Sequence, residues 1–231
     1  MELYQIQHFI VIPMNKTSSE QFSKWNKSVP KYDEFQEMIV DCITEDTTHQ
    51  MNILDLGVGK GGTAVTILNR FPNSHYCGVD KSNDAIIDSK IILQEFQNID
   101  LILDELLEFN IEKKYDVIAA ALSLHHLDKD NKFDILNKIF HWLKPNGVFI
   151  WGDLVKLEDE KMNQKAIKYF QNFREGVLNE EEKKKVKEHI ENEKHIFHTI
   201  AEMKDMLNIV GFNKVDIVWT FYRLVIFRIT K

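Results

Sequence analysis

Cysteine is scarce in this chain: Cys42 and Cys77 are the only two among 231 residues. They stand far apart and without metal-ligand spacing, which excludes a disulfide framework and a zinc site, so a reducing cytosol is the expected location. Long apolar runs are missing too, since none approaches the roughly eighteen residues that span a bilayer. The short apolar stretch from Phe9 to Met14 has no basic flank before it and no small-residue cleavage site after it, so no signal peptide is expected. Positive charge is not in excess. With 29 Lys and Arg against 36 Asp and Glu, the net charge of −7 speaks against a broad nucleic-acid footprint, while leaving open a tRNA reached through a local patch. Internal repeats and low-complexity linkers are also absent.

What remains is an ordinary globular composition, 44% hydrophobic and 28% charged, with fifteen Phe to fill a core and furnish a pocket. Short β-like runs alternate with helical patterns through the middle of the chain, the mark of a parallel sheet with crossover helices. Strands are expected at 51–56, 75–80, 100–103, 115–120 and 148–154, and helices over 62–70, 83–96 and 132–143. Lys144-Pro145-Asn146-Gly147 reads as a turn. A last helix over 196–209, stopped by Gly211, precedes two β-rich runs at 214–220 and 223–230. The connection between those runs is too short for anything but an antiparallel pair. The expected fold is therefore α/β: a Rossmann-like, seven-stranded, mostly parallel sheet with an antiparallel C-terminal hairpin and a helical cap. By segment, 1–50 is an N-terminal helical cap and 51–154 a cofactor-binding core. Residues 155–195 are a helical cap insertion, and 196–231 complete the core. The run Glu180-Glu181-Glu182-Lys183-Lys184-Lys185 in that insertion reads as a solvated helix face.

The most informative stretch is Asp55-Leu56-Gly57-Val58-Gly59-Lys60-Gly61-Gly62. A glycine-rich turn between strand and helix lets a ligand reach the backbone and offers it the helix N-terminal N–H groups. The glycine spacing alone fits several nucleotide folds. Asp55 separates them: a carboxylate here repels the pyrophosphate of a dinucleotide and attracts the ammonium and sulfonium of S-adenosylmethionine. Asp80, closing the second strand, suits both hydroxyls of a ribose. After the third strand, Asp104 or Glu105 is placed to accept from an adenine amino group.

Taken in order, Asp55-Leu56-Gly57-x-Gly59-x-Gly61, Asp80, Tyr115-Asp116-Val117-Ile118, Leu122-Ser123-Leu124-His125-His126-Leu127 and Leu143-Lys144-Pro145-Asn146-Gly147 resemble the class I S-adenosylmethionine-dependent methyltransferases. The resemblance implies S-adenosylmethionine held by Asp55, Gly57, Gly59, Gly61, Asp80, Lys81, Asp104, Glu105, Leu106, Ala121 and His126, with Tyr32 and Trp25 as its cover. The flanks, Ser28-Val29-Pro30-x-Tyr32 and 201–212 with the hairpin, are similar to the carboxy-S-adenosylmethionine synthase group that serves tRNA wobble-uridine modification. That group's cap arginine falls near Lys187–Glu188, where this chain has none, which favours ordinary methyl transfer to O, N or C of a small molecule. The alternatives are a tRNA-modification enzyme of the carboxy-S-adenosylmethionine synthase type and an NAD-dependent oxidoreductase, the latter opposed by Asp55 and the hairpin.

On the acceptor side, the loop from Ala121 to Leu127 is expected to pass beside the transferred methyl, making His125 and His126 the candidate catalytic pair. Asp153 joins them from the end of the fifth strand. Phe170, Phe173 and Arg174 are helix-spaced candidates for the pocket roof, and Arg174 suits a carboxylate. Trp219 and Tyr222 flank the hairpin turn and suit the pocket, a core or a homodimer interface. No metal is expected: His195 and His198 read as exposed or capping residues.

Overall fold

The computed structural model describes residues 28–44, 49–192 and 196–231; Trp25 and His195 lie outside the described residues. The described elements are α1 (Tyr32–Asp41), β1 (Asn52–Leu56), α2 (Gly62–Arg70), β2 (His75–Asp80), α3 (Asn83–Ile92), β3 (Ile99–Leu103) and β4 (Tyr115–Ala121). After a short 3-10 turn at Leu124–His126 follow α4 (Lys129–Trp142), β5 (Leu143–Leu154), α5 (Glu160–Val177), α6 (Glu180–Asn192), α7 (Ile200–Val210), β6 (Lys214–Phe221) and β7 (Leu224–Thr230). Seven strands form one sheet in the order β3-β2-β1-β4-β5-β7-β6. The first five pair in parallel, while β7 runs antiparallel to both β5 and β6. The expected sheet and its terminal hairpin are both present.

Strand alternation divides the core in two. Ile53, Val117, Ala119, Ile150 and Ile226 face one layer, where Phe35 and Ile39 of α1 pack beside Ala64, Ile67 and Leu68 of α2. Leu54, Ile118, Ala120, Trp151 and Phe227 face the other, against Ile135, Leu136 and Ile139 of α4 and Met203, Met206 and Leu207 of α7. Gly152 lies in the first layer because Phe35 fills the place of a side chain there: a Cβ would stand 2.6 Å from Phe35 Cζ.

Helix α3 ends at Ile92 rather than at residue 96, and three further boundaries differ from the periodicity reading, each for a local reason. Helix α4 starts at Lys129, three residues earlier, because Asp128 caps it by accepting from Asn131 N at 2.9 Å. Helix α7 starts at Ile200, where Thr199 and Glu202 close a capping box. Strand β5 absorbs the expected turn at 144–147: the ladder slips between the Tyr115–Leu143 and Val117–Val148 pairs, with Asn146 left-handed at φ 64. The charged helix α6 is laced by surface pairs such as Lys185 to Glu181 at 2.7 Å, as a solvated face would be.

Candidate active site

Both functional ends of the molecule lie at the carboxyl edge of the parallel strands, where sheets of this kind bind ligands. At the end of β1 the chain turns through Gly57, Gly59 and Gly61, all at positive φ. Gly57 N and Val58 N donate to Val79 O of β2, and Gly59 N donates to Asp80 Oδ2 at 2.9 Å. Asp80 Oδ1 accepts from Ser82 N, so each of its oxygens takes one backbone donor and retains capacity to accept another. No side chain caps the start of α2, leaving its first N–H groups to an anionic end of a ligand. Asp104, whose Oδ1 accepts from Glu105 N, follows β3 beside Asp80: its N–H donates to Asp80 O at 3.0 Å. Glu105 and Lys81 are exposed, and Leu106 packs partly into the core.

Asp55 sits in this cradle almost wholly buried. Tyr76 Oη donates to its Oδ2, while Oδ1 has no hydrogen-bond partner among the described residues. Burial pushes its pKa up to about 7 despite the Tyr76 bond, and Asp80 adds a smaller push in the same direction. Gln36 of α1 also carries an unpartnered buried acceptor, Oε1. Tyr32 hydrogen-bonds Gln36, and its pKa is raised by burial, lowered by that bond and raised again by the charge of Asp55. Two orphaned acceptors, one able to ionise, are costly unless a donor meets them. A cationic ammonium is such a donor, and it fits the cradle better than a pyrophosphate.

The loop after β4 closes the cradle from the other side. Leu122 is left-handed at φ 54 and its N–H donates to Gly152 O, which binds the loop to β5. Ser123 Oγ donates to Leu56 O at 2.6 Å, pressing this loop against the glycine turn. Ala121 ends β4 half-buried, and His126 tilts against His125 with ring centroids 4.1 Å apart.

His125 faces the opposite layer from Asp55. Its Nδ1 lies 2.5 Å from Asp153 Oδ1, both side chains buried. Asp153 also accepts from Leu154 N at 2.9 Å and Trp151 Nε1 at 3.1 Å. Burial alone would raise its pKa, but the charge and hydrogen bond of His125, with these two donors, outweigh that and hold it below the usual value. Asp153 thereby holds the Nδ1 edge of the imidazole and sets the orientation of the ring.

Behind this pair lies Lys132, a lysine buried at 2% exposure. Its Nζ donates to Leu127 O at 2.7 Å and Ile196 O at 2.8 Å and lies 3.2 Å from His198 Nδ1. His198 is thereby a buried partner of Lys132, and no cluster of metal-binding type occurs among the described residues. Burial pulls Lys132 from 10.5 to about 8, against opposing pulls from Asp153 and Asp128. A lysine whose folded pKa is depressed destabilises below pH 8, and the penalty fades between 8 and 10.5, where only the unfolded chain still holds the proton. The stability difference between the natural protein and Lys132→Met, measured by urea unfolding, should therefore shift toward the natural protein by about 2 kcal/mol from pH 8 to 10. A flat difference would refute the assignment.

The remaining sequence candidates divide by location. Phe170 is buried in the layer shared with α1, and Phe173 is half-buried one turn on. Arg174 Nε donates to Ser28 O at 3.1 Å. Trp219 lies against α1, its Nε1 donating to Glu34 Oε1 and its ring edge-on to Phe35. Tyr222, left-handed at the hairpin turn, stacks on Tyr169 with ring centroids 4.3 Å apart. Sequence reasoning missed Gln36, Ser123, Lys132 and Arg223. Lys132 had a signal: it falls on the apolar stripe with Ile135, Leu136 and Ile139, where a charge is out of place. So did Gln36, which interrupts the buried face of Phe35, Ile39 and Val40.

A nucleoside cradle closing onto a histidine–carboxylate pair defines a group-transfer enzyme of the Rossmann-like class. Residues 54–149 match the family described as "Methyltransferase domain". The chain is 27% identical over 212 residues to malonyl-[acyl-carrier protein] O-methyltransferase 2 of Ilyobacter polytropus, covering 86% of this chain and 81% of that protein. It is 24% identical over 196 residues to carboxy-S-adenosyl-L-methionine synthase of Nautilia profundicola, covering 84% and 83%. The fold also overlays that of N-methyltransferase NodS from Bradyrhizobium japonicum, solved with S-adenosyl-L-homocysteine, with TM-score 0.64, 12% identity and coverage of 94% and 98%. Over its core the chain thus carries a methyltransferase domain, and in sequence and fold it is similar to S-adenosylmethionine-dependent methyltransferases. No helix among the described residues is long and apolar enough to cross a membrane.

Proposed function

We propose that this enzyme methylates O, N or C of a small-molecule acceptor, with Asp55, Gln36 and Asp80 gripping the cofactor and His125 taking the acceptor's proton. The observation that carries the reading is the orphaned carboxylate oxygen Asp55 Oδ1 at the head of the glycine turn, joined by the orphaned Gln36 Oε1 of α1. When bound, S-adenosylmethionine supplies an electrophilic methyl on a sulfonium that leaves as a neutral thioether. Asp55 neutralises the ammonium and Asp80 accepts from the ribose hydroxyls. The uncapped start of α2 receives the carboxylate. Asp104 or Glu105 meets the adenine amino group, and Tyr32 covers the methionine end. His125 accepts the acceptor's proton on Nε2 as its electron pair turns to the methyl carbon, and Asp153 stabilises the imidazolium that results. Buried, unpaired Cys42 and Cys77 suit a cytosolic enzyme.

Calorimetry with S-adenosylhomocysteine tests the cradle. Only ionised Asp55 holds the ammonium, so affinity should rise by roughly tenfold per unit below pH 7 and level off above it, with proton release near the midpoint. Asp55→Asn should flatten that profile. Absence of binding at any pH, or preferential binding of NADH, sinks the reading. Transfer of tritium from labelled S-adenosylmethionine to an acceptor panel then separates methyl transfer from the second reading, which the Nautilia relative favours. In that case the purified protein would carry a carboxylated cofactor, visible by mass spectrometry.

A further inference from the structure

Arg174 and Arg223 approach each other near the candidate base, and among the described residues no carboxylate receives either. Arg174 lies on α5 and Arg223 follows the β6–β7 turn, and each spends its Nε on a backbone carbonyl, Ser28 O at 3.1 Å and Val155 O at 2.8 Å. Neither forms an ion pair with a carboxylate among the described residues, in a chain that carries 36 acidic groups against 29 basic ones. Both are half-buried, and Tyr222, next to Arg223, stacks on Tyr169 of α5 with ring centroids 4.3 Å apart, which brings the hairpin turn against the helix that carries Arg174; desolvation draws both arginines below the ordinary value, and the charge of Arg174 lowers Arg223 further. Two cations drawn together in a half-dry place are unfavourable unless an anion joins them.

Their position says which ligand is meant. Arg223 lies over the Phe197 ring, 4.2 Å from its centroid. Phe197 in turn stacks on His125, centroids 5.8 Å apart and planes 24° from parallel. Arg223 thus stands one aromatic ring from the proposed base, while Arg174 comes from α5, which packs in the layer shared with α1. Ser28 ties Arg174 to the chain just before α1. With each Nε engaged, the terminal NH2 edges remain to grip planar or tetrahedral oxyanions.

We propose that Arg174 and Arg223 form an anion subsite of the acceptor pocket, so that the acceptor carries a carboxylate or phosphate about one ring's width from the atom that is methylated. This rests on the methyl-transfer reading above and adds the chemical class of its substrate. The subsite comes from the hairpin turn and the cap helix, apart from the glycine turn that holds the cofactor in the reading above.

The test titrates malonate, and separately inorganic phosphate, into the protein saturated with S-adenosylhomocysteine. The natural protein is compared with Arg174→Met, Arg223→Met and Arg223→Lys. Binding of either anion that weakens about tenfold or more in each Met variant supports the subsite; recovery of part of the loss in the Lys variant does too. Malonate alone points to a carboxylate acceptor, phosphate alone to a phosphate one. S-adenosylhomocysteine affinity should stay within about threefold in all variants, showing that they remain folded. Equal anion affinity in the natural protein and the variants, or no anion binding at all, overturns the proposal. So does a carboxylated cofactor that binds more tightly than S-adenosylmethionine and loses that advantage in Arg223→Met, because the pair would then serve the cofactor. Failure of S-adenosylhomocysteine to bind the natural protein would instead defeat the methyl-transfer reading beneath it.

Discussion

Replacing Gly57 by Ala should abolish useful cofactor binding, weakening S-adenosylhomocysteine by roughly 100-fold or more, about 2.7 kcal/mol. Two effects add. The residue sits at φ +84, where an L side chain is strained by about 1–2 kcal/mol. A Cβ there would also lie 2.4 Å from Ser123 Cβ, far inside contact distance. Ser123 cannot swing away cheaply, because its hydroxyl is bonded to Leu56 O. The loop after β4 must therefore shift, and in the proposed reading this loop walls the transferred methyl. Gly176→Ala is the control: nothing lies within 4 Å of a Cβ there, and affinity should not change. Calorimetry on both variants decides the matter, and a Gly57→Ala protein that binds within threefold of the natural one would contradict this account of the turn.

Asp153→Asn should strike the other half of the site. The carboxylate accepts from His125, Leu154 N and Trp151 Nε1, and an amide cannot accept on both of its ends. Keeping its oxygen toward His125 and Leu154 turns an NH2 toward the Trp151 N–H, donor against donor. The substitution also removes the negative charge that balances the imidazolium and partly offsets the buried Lys132. Loss of one member of a buried pair costs about 3 kcal/mol or more, measurable by urea unfolding. Methyl transfer should fall by roughly 100-fold or more, the usual scale of general-base catalysis. S-adenosylhomocysteine binding should hardly change, since Asp153 faces the layer away from Asp55. Turnover within a few-fold of the natural enzyme would remove His125 from the role of base.

The cofactor half of the site was legible in the sequence because it is local. Asp55, the three glycines and Asp80 fall within about one βαβ unit, and their spacing reports turn chemistry directly. The acceptor half is assembled across the sheet. His125 and Asp153 could each be named from the sequence, but their contact depends on β4 lying beside β5, in the register that pairs Ala121 with Gly152. Arg223 is further from view: it reaches Val155 only because Leu224 of β7 pairs with Leu154 of β5. Lys132 was hidden by a helix start placed three residues late, which made a core position look like a terminus. Gln36 needed α1 to be packed onto the sheet before its orphaned oxygen had meaning.

Asp55 and Asp153 point into opposite layers of one sheet, so the two tasks of the enzyme rest on separate mechanical supports. Substitutions in α4 or α7 can accumulate on one side without loosening the grip on the other. Such a scaffold can change its customers while keeping its reagent, and swapping the hairpin turn alone is the natural place to start redirecting it.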